Sequence, residues 1–354
     1  MAMLVRPQSS GRLLDVMDLS VHIPSARGIV EAVDGVSFGI DRGEVVGIVG
    51  ESGCGKTMLA LSLIRLVRHP GRIANGKILF AGRDLLTLPE REMRKVRGGQ
   101  IGMIFQDPSA SLNPVMTVGR QIGEAIQAHN NVTRREARRQ AVDMLHAVRI
   151  PEAAARARSY PHEYSGGMRQ RVGIAIGTAN HPELVIADEP TTALDVTVQA
   201  QIISLLANMN RDEGTAIIFI SHNIALVSQF CSRVLVMYAG RIVEEGPTRE
   251  VFGNPSHPYT AALLKAVPRV DKHLANGLET IEGRPPDLAR KPSGCAFHPR
   301  CPARIDRCAI AAPPKFTVAF GYASRCWLAA GTEGGDTAHA IENPTKGRTR
   351  DDAE

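Results

Sequence analysis

The sequence predicts an α/β fold built round a phosphate-binding loop, with an all-helical insert and a small Cys/Pro-rich C-terminal extension. Three observations carry this. Residues 45–57, VVGIVGESGCGKT, are an apolar strand run followed by Gly50, Gly55, Lys56 and Thr57 in the spacing G-x-x-x-x-G-K-[ST]. Short apolar runs alternate with helical patterns on both sides of residues 107–180, a region with helical periodicity only. Beyond residue 253 the chain turns rich in Pro, Cys and Arg.

In chain order, residues 1–11 read as a loose end. Residues 13–23 and 29–40 alternate apolar and polar side chains, the mark of antiparallel strands. Asp41, Arg42 and Gly43 turn the chain into the strand at 45–49. After the loop, Leu59, Leu63 and Leu66 begin an amphipathic helix. A short strand at 76–80, a charged helix at 89–96 and a buried strand at 101–105 follow. The insert holds helices at 118–128, 134–148 and 165–179. Its dense arginines read as a solvated helix face. Strands at 184–187, 216–220 and 234–237 then alternate with helices at 196–210 and 224–230, and a hairpin closes the region near residue 240. A boundary is expected near 253, so the domains read as 12–253, an extension at 254–328 and a disordered tail at 329–354.

Composition excludes some functions. The 354 residues carry a net charge of +6, which suits an anionic ligand or membrane surface. Aromatic residues are 4 %, too few to indicate base-stacking surfaces, so no nucleic-acid partner is expected. No apolar run reaches the roughly 18 residues that a membrane span needs. The first residues carry no secretory pattern, so a cytosolic chain with reduced cysteines is expected.

The loop chemistry explains its residue types. Backbone N–H groups of Gly50, Glu51, Ser52, Gly53, Cys54, Gly55, Lys56 and Thr57 can cluster round phosphate oxygens at a helix start. Glycines let the chain curl without Cβ clashes. Lys56 reaches the outer phosphates and the Thr57 hydroxyl suits Mg²⁺. Cys54 reads as a small filler. Far downstream, the strand at 184–187 ends in Asp188 and Glu189. Beside a phosphate loop, these two acids fit a Mg²⁺ ligand and a general base better than a pair of solvated carboxylates.

Between the two lies Tyr164-Ser165-Gly166-Gly167-Met168-Arg169-Gln170-Arg171, which resembles the signature of ABC-type ATPases. Ser165 is placed to cap a helix N-terminus. The family commonly has Leu and Gln where Tyr164 and Met168 stand here. Further residues fall in family order: Gln106 resembles the Q-loop glutamine, Ala193-Leu194-Asp195 the D-loop, and His222 the switch histidine. The resemblance implies an ABC-type P-loop ATPase domain, with a RecA-like core, an antiparallel β subdomain and a helical subdomain at 107–180. It implies Mg-ATP as ligand, Thr57, Gln106 and Asp188 about the Mg²⁺, and Ser165, Gly166, Gly167 and Met168 against ATP on a partner subunit. The family's usual adenine-stacking aromatic is missing; Arg27 or Val30 stands near its place.

Asn254-Pro255-Ser256-His257-Pro258-Tyr259-Thr260 resembles the C-terminal signature of oligopeptide, dipeptide and nickel permease ATPases. That branch implies import, a second ATPase subunit (a paralogue rather than a copy), two transmembrane permease subunits and a separate extracytoplasmic solute-binding protein. It implies a place at the cytoplasmic face of the inner membrane; residues 107–116, between Gln106 and the helical insert, are the candidate surface for docking the permease. Cys295, Cys301, Cys308 and Cys326 cluster in this extension with the spacing C-x₅-C-x₆-C-x₁₇-C. The spacing leaves iron–sulfur, zinc and free thiols open. The branch implies a 4Fe–4S cluster there. Nickel or another small solute as cargo is an alternative, and so is a soluble ABC ATPase acting on nucleic acid or ribosomes. Such soluble proteins usually carry two ATPase domains or long mid-chain inserts, which this chain lacks.

Overall fold

The strand β3 (Val45–Val49) is buried along its whole length, and its alternating side chains enter two different cores. Val46 and Ile48 pack on one face and Val45 and Val49 on the other. A parallel strand covered on both sides reads as an unbroken apolar run for this reason. The computed structural model describes residues 11–107, 111–192, 194–266 and 281–331.

On the first face lies a four-stranded antiparallel sheet in the order β2-β1-β4-β5, made of β1 (Arg12–Ser25), β2 (Gly28–Asp41), β4 (Arg72–Phe80) and β5 (Arg83–Asp84). β4 begins at Arg72, four residues before the sequence-read start, because it pairs along β1 as far as His22. This sheet closes over the helix Lys56–Leu63, burying Leu59 and Leu63 with Val16 and Val33.

The large sheet has the order β11-β12-β10-β9-β3-β8-β7-β6. Its remaining strands are β6 (Ile101–Ile104), β7 (Leu184–Asp188), β8 (Ala216–Ile220), β9 (Arg233–Tyr238), β10 (Arg241–Pro247), β11 (Phe316–Ala319) and β12 (Tyr322–Ser324). Strands β9, β3, β8, β7 and β6 run parallel. Residues 111–180 contain helices as their regular structure, among them Val118–Gln127, Arg134–Ala147 and Gly166–Thr178. They pack Ile122, Leu145 and Val172 into the second core with Val45 and Val49.

The extension does not stand apart. β12 pairs with β10, and β11 with β12, so the edge of the large sheet is built from residues beyond 253. Tyr259, Phe297 and Tyr322 enter the second core. No strand signal marks these residues in the sequence, because both strands are of four residues or fewer. The tail expected from 329 starts in the short 3₁₀ helix Trp327–Gly331. Residues 1–10, 108–110, Ala193, 267–280 and 332–354 lie outside the described residues. With them lie the expected loose start, most of the tail and part of the docking surface.

Candidate functional site

Sheet order assembles the site. β3, β8, β7 and β6 are consecutive neighbours, and each sends its C-terminal end to the same edge. That edge is where open parallel sheets bind ligands. β3 delivers the loop at 50–57, β8 leads to His222, β7 ends at Asp188, and β6 leads to Gln106. Four segments spread over more than 170 residues thus meet because of strand order.

The loop needs its glycines. A Cβ on Gly50 would lie 2.2 Å from Met237 O, and one on Gly55 2.1 Å from Ala32 O. Both have positive φ, at 156° and 108°. Lys56 is buried, and its Nζ donates to Gly50 O at 2.8 Å and Glu51 O at 3.1 Å. The loop's own carbonyls therefore hold the ammonium across the loop mouth. Gly55 caps the following helix without a side chain, which leaves the first N–H groups for an anion. Cys54 fills space, and burial pushes its thiol up, so it is a poor nucleophile at neutral pH.

Asp188 is almost fully buried, and its Oδ1 has no hydrogen-bond partner. Burial raises its carboxyl, as the charge of Glu189 also does, while Thr57 and Lys56 act to lower it. An orphaned carboxylate oxygen beside the Thr57 hydroxyl fits a divalent cation. Glu189 adopts φ 47°, a conformation uncommon outside glycine and frequent at functional sites. Its Oε2 is within 3.1 Å of Gln106 Nε2, 3.2 Å of His222 Nδ1 and 2.8 Å of Thr192 Oγ1. Gln106, Glu189 and His222 therefore come together, joined by Thr192, which the sequence reading missed. Thr192 stands three residues beyond Glu189, but nothing in that spacing singles it out.

Ser165 caps the helix Gly166–Thr178, accepting from Met168 N at 3.3 Å. Ser165 and Gly166 are exposed, and a Cβ on Gly166 would meet nothing within 4 Å. Asp195 caps the helix Val196–Glu213, accepting from Val198 N at 2.9 Å. Arg27 is exposed at the turn between β1 and β2, and Val30 is half-buried.

Cys295, Cys301, Cys308 and Cys326 line one small cavity together with His298 and Trp327. All six cysteines are free thiols. Burial pushes Cys295 and Cys301 up, and Cys326 up to about 12. Among the described residues no group of three or more His, Cys, Asp or Glu is arranged to hold a metal ion. The donor set is all sulfur, which suits soft metals and iron–sulfur clusters.

Among the described residues, no helix is long and apolar enough to cross a membrane. The family described as ABC transporter matches residues 33–192, and the oligopeptide/dipeptide transporter C-terminal region matches residues 243–308. The chain is 51 % identical to the oligopeptide transport ATP-binding protein OppD of Escherichia coli over 306 residues, covering 86 % of this chain and 90 % of that one. It is 49 % identical to a probable peptide ABC transporter ATP-binding protein of Sinorhizobium fredii over 316 residues, covering 89 % and 94 %. Among solved structures, a dimeric post-hydrolysis ATP-binding cassette with ADP and phosphate superposes with a TM-score of 0.62 at 26 % identity, covering 67 % of this chain and 99 % of that chain.

Proposed function

The chain belongs to the ATP-binding subunits of ABC transporters, in the oligopeptide/dipeptide class, and we propose that it hydrolyses ATP to drive import of di- and oligopeptides through a membrane permease. One observation carries the reading: Gln106, Glu189 and His222 share one carboxylate oxygen at the sheet edge that also bears the loop at 50–57. The C-terminal match and the peptide-transport relatives support the cargo class.

The Lys56 ammonium and loop N–H groups between Gly50 and Thr57 bind the phosphates, apart from the Glu51 and Cys54 N–H groups, which donate to the Tyr259 hydroxyl and to Glu51 O. Thr57, Asp188 and Gln106 hold Mg²⁺, which when bound neutralises charge on the phosphates. Glu189 accepts the proton of the attacking water. Gln106 and His222 hold its Oε2, so the carboxylate is oriented before substrate arrives. Ser165, Gly166, Gly167 and Met168 face ATP held by a second ATPase subunit, with Asp195 beside that junction. Exposed, uncrowded Gly166 supports this, because no packing within the chain demands a glycine there.

We place the chain at the cytoplasmic face of the inner membrane. It pairs there with a paralogous ATPase subunit and two permease subunits, and an extracytoplasmic solute-binding protein supplies the peptide. The ATPase domain comprises residues 12–253, the extension 254–328, and residues about 107–116 dock the permease. Cys295, Cys301, Cys308 and Cys326, which line one cavity, would hold a 4Fe–4S cluster through their thiolates, in a structural role.

The test is uptake. Cells lacking this coding segment receive an essential amino acid only as di- or oligopeptides. Growth should be lost, and restored by wild type but not by Lys56→Ala. Unchanged growth with no redundant system active would refute peptide import and direct attention to nickel uptake.

A further inference from the structure

Glu51, the second residue of the phosphate loop, is held at both its ends by the C-terminal extension. Its carboxylate receives a two-pronged pair from Arg300: Nη1 donates to Oε2 at 2.7 Å and Nη2 to Oε1 at 3.0 Å. Its backbone N–H donates to the Tyr259 hydroxyl at 2.8 Å. We propose that Arg300 and Tyr259 are positioning residues for the phosphate loop, through which the extension sets the affinity for Mg-ATP. The proposal rests on the reading of residues 50–57 as the ATP site.

Arg300 is built to hold its place. Its side chain is 6 % exposed. Nε donates to Glu282 O at 2.8 Å, Nη2 also to Ile281 O at 3.3 Å, and Nη1 also to the Tyr238 hydroxyl at 3.3 Å. The guanidinium lies about 6 Å from the Tyr238 and Phe297 ring centres. A forked, fully bonded guanidinium fixes the direction of its carboxylate partner in a way that a lysine cannot.

The anchor leads back to the cysteine cavity. Phe297 and Arg300 both lie in the turn between Cys295 and Cys301, which is closed by bonds from His298 N to Cys295 O at 2.9 Å and from Arg300 N to Phe297 O at 2.9 Å. Phe297 packs on Tyr238 and Tyr259 with ring centres 5.2 and 5.3 Å apart, and it also lines the cavity of the four thiols. One rigid cluster therefore joins the thiol cavity to the loop.

Charge gives the pair its consequence. A loop that takes a triphosphate should not carry an uncompensated carboxylate. Arg300 pairs with the Glu51 carboxylate and so compensates its charge. Removing Arg300 leaves a half-buried anion beside the phosphates, which repels them and frees the loop. Removing the charge from Glu51 as well should relieve the repulsion.

The experiment is equilibrium titration of the full-length chain with Mg-ATP. Arg300→Met should weaken binding at least tenfold, and Glu51→Gln threefold or less. The double variant should return to the Glu51→Gln value, a rescue that a merely structural role for Arg300 would not produce. Binding by Arg300→Met within twofold of wild type, or losses that add in the double variant, would overturn the proposal. Should Arg300→Met fail to fold, Tyr259→Phe removes only the hydroxyl on Glu51 N. Binding weakened threefold or more then supports the proposal, and unchanged binding overturns it. Lys56→Ala separates the two readings: wild-type binding in that variant sinks the ATP site itself, whereas lost binding there with normal Arg300→Met sinks only the positioning role.

Discussion

Gln106 Nε2 donates to Glu189 Oε2 at 3.1 Å, joining the ends of two adjacent parallel strands across 83 positions of sequence. The bond ties the entry of the helical insert to the carboxylate read as the general base. A shift of the insert therefore moves the group that orients Glu189. On the proposed reading, a permease docked on that insert would have a direct route to Glu189.

Glu189→Gln should bind Mg-ATP as wild type does but hydrolyse it at least about 100-fold more slowly, because an amide takes no proton from water. Phosphate release by the assembled transporter measures this. Normal turnover would remove Glu189 from the base role.

Gly166→Asp separates folding from function. An acid in the first turn of the helix Gly166–Thr178 favours the helix by about 0.3–1 kcal/mol. The same charge would face the phosphates of the partner's ATP. The melting temperature should hold or rise while ATPase activity is lost. An active variant would show that this helix start does not meet nucleotide.

Stability should depend on Glu244. It is 1 % exposed, its Oε1 accepts from the Tyr322 hydroxyl and from Ser256 N at 2.6 Å each, and its Oε2 has no partner. Burial pushes its carboxyl up to about 7. A raised acid binds its proton more tightly in the folded chain, so this stabilisation is full below about pH 4.5 and is lost as pH rises through 7. Glu244→Gln should flatten that fall and gain about 3 kcal/mol over wild type at pH 8. Urea melts in which the difference in unfolding free energy between wild type and Glu244→Gln is the same at pH 5 and pH 8 would contradict it.

Phe297→Ala should cost about 3–5 kcal/mol, since its ring is 1 % exposed and packs on Tyr238 and Tyr259. A loss below about 1 kcal/mol in denaturant melts would mean that the cysteine turn is not part of the main core.

Anaerobic purification should give a brown protein with iron and sulfide in four-to-one ratio to chain, and replacing any of Cys295, Cys301, Cys308 or Cys326 by Ser should reduce the colour. A colourless, metal-free anaerobic preparation would rule out the cluster.

Local chemistry was legible wherever it is written in consecutive residues. Gly50 to Thr57, the apolar run ending in Asp188 and Glu189, and the Ser165 cap are each a short string whose types and spacing have a direct physical reason. So were the long periodic helices and the buried strands of the parallel sheet. The two strands at 316–324 were not, because a three- or four-residue strand carries too few side chains to show a period.

Residue types alone fix which side chains can bind phosphate, carry a proton or ligate a metal. Tertiary structure decided which of them meet. Strand order put Gln106, Glu189 and His222 round one oxygen, since parallel neighbours share an edge whatever their distance in sequence. It also brought Arg300 and Tyr259, more than 200 residues away, onto Glu51. Such pairings depend on the path of the whole chain, because a side chain's type fixes what it can bond but not what it will reach.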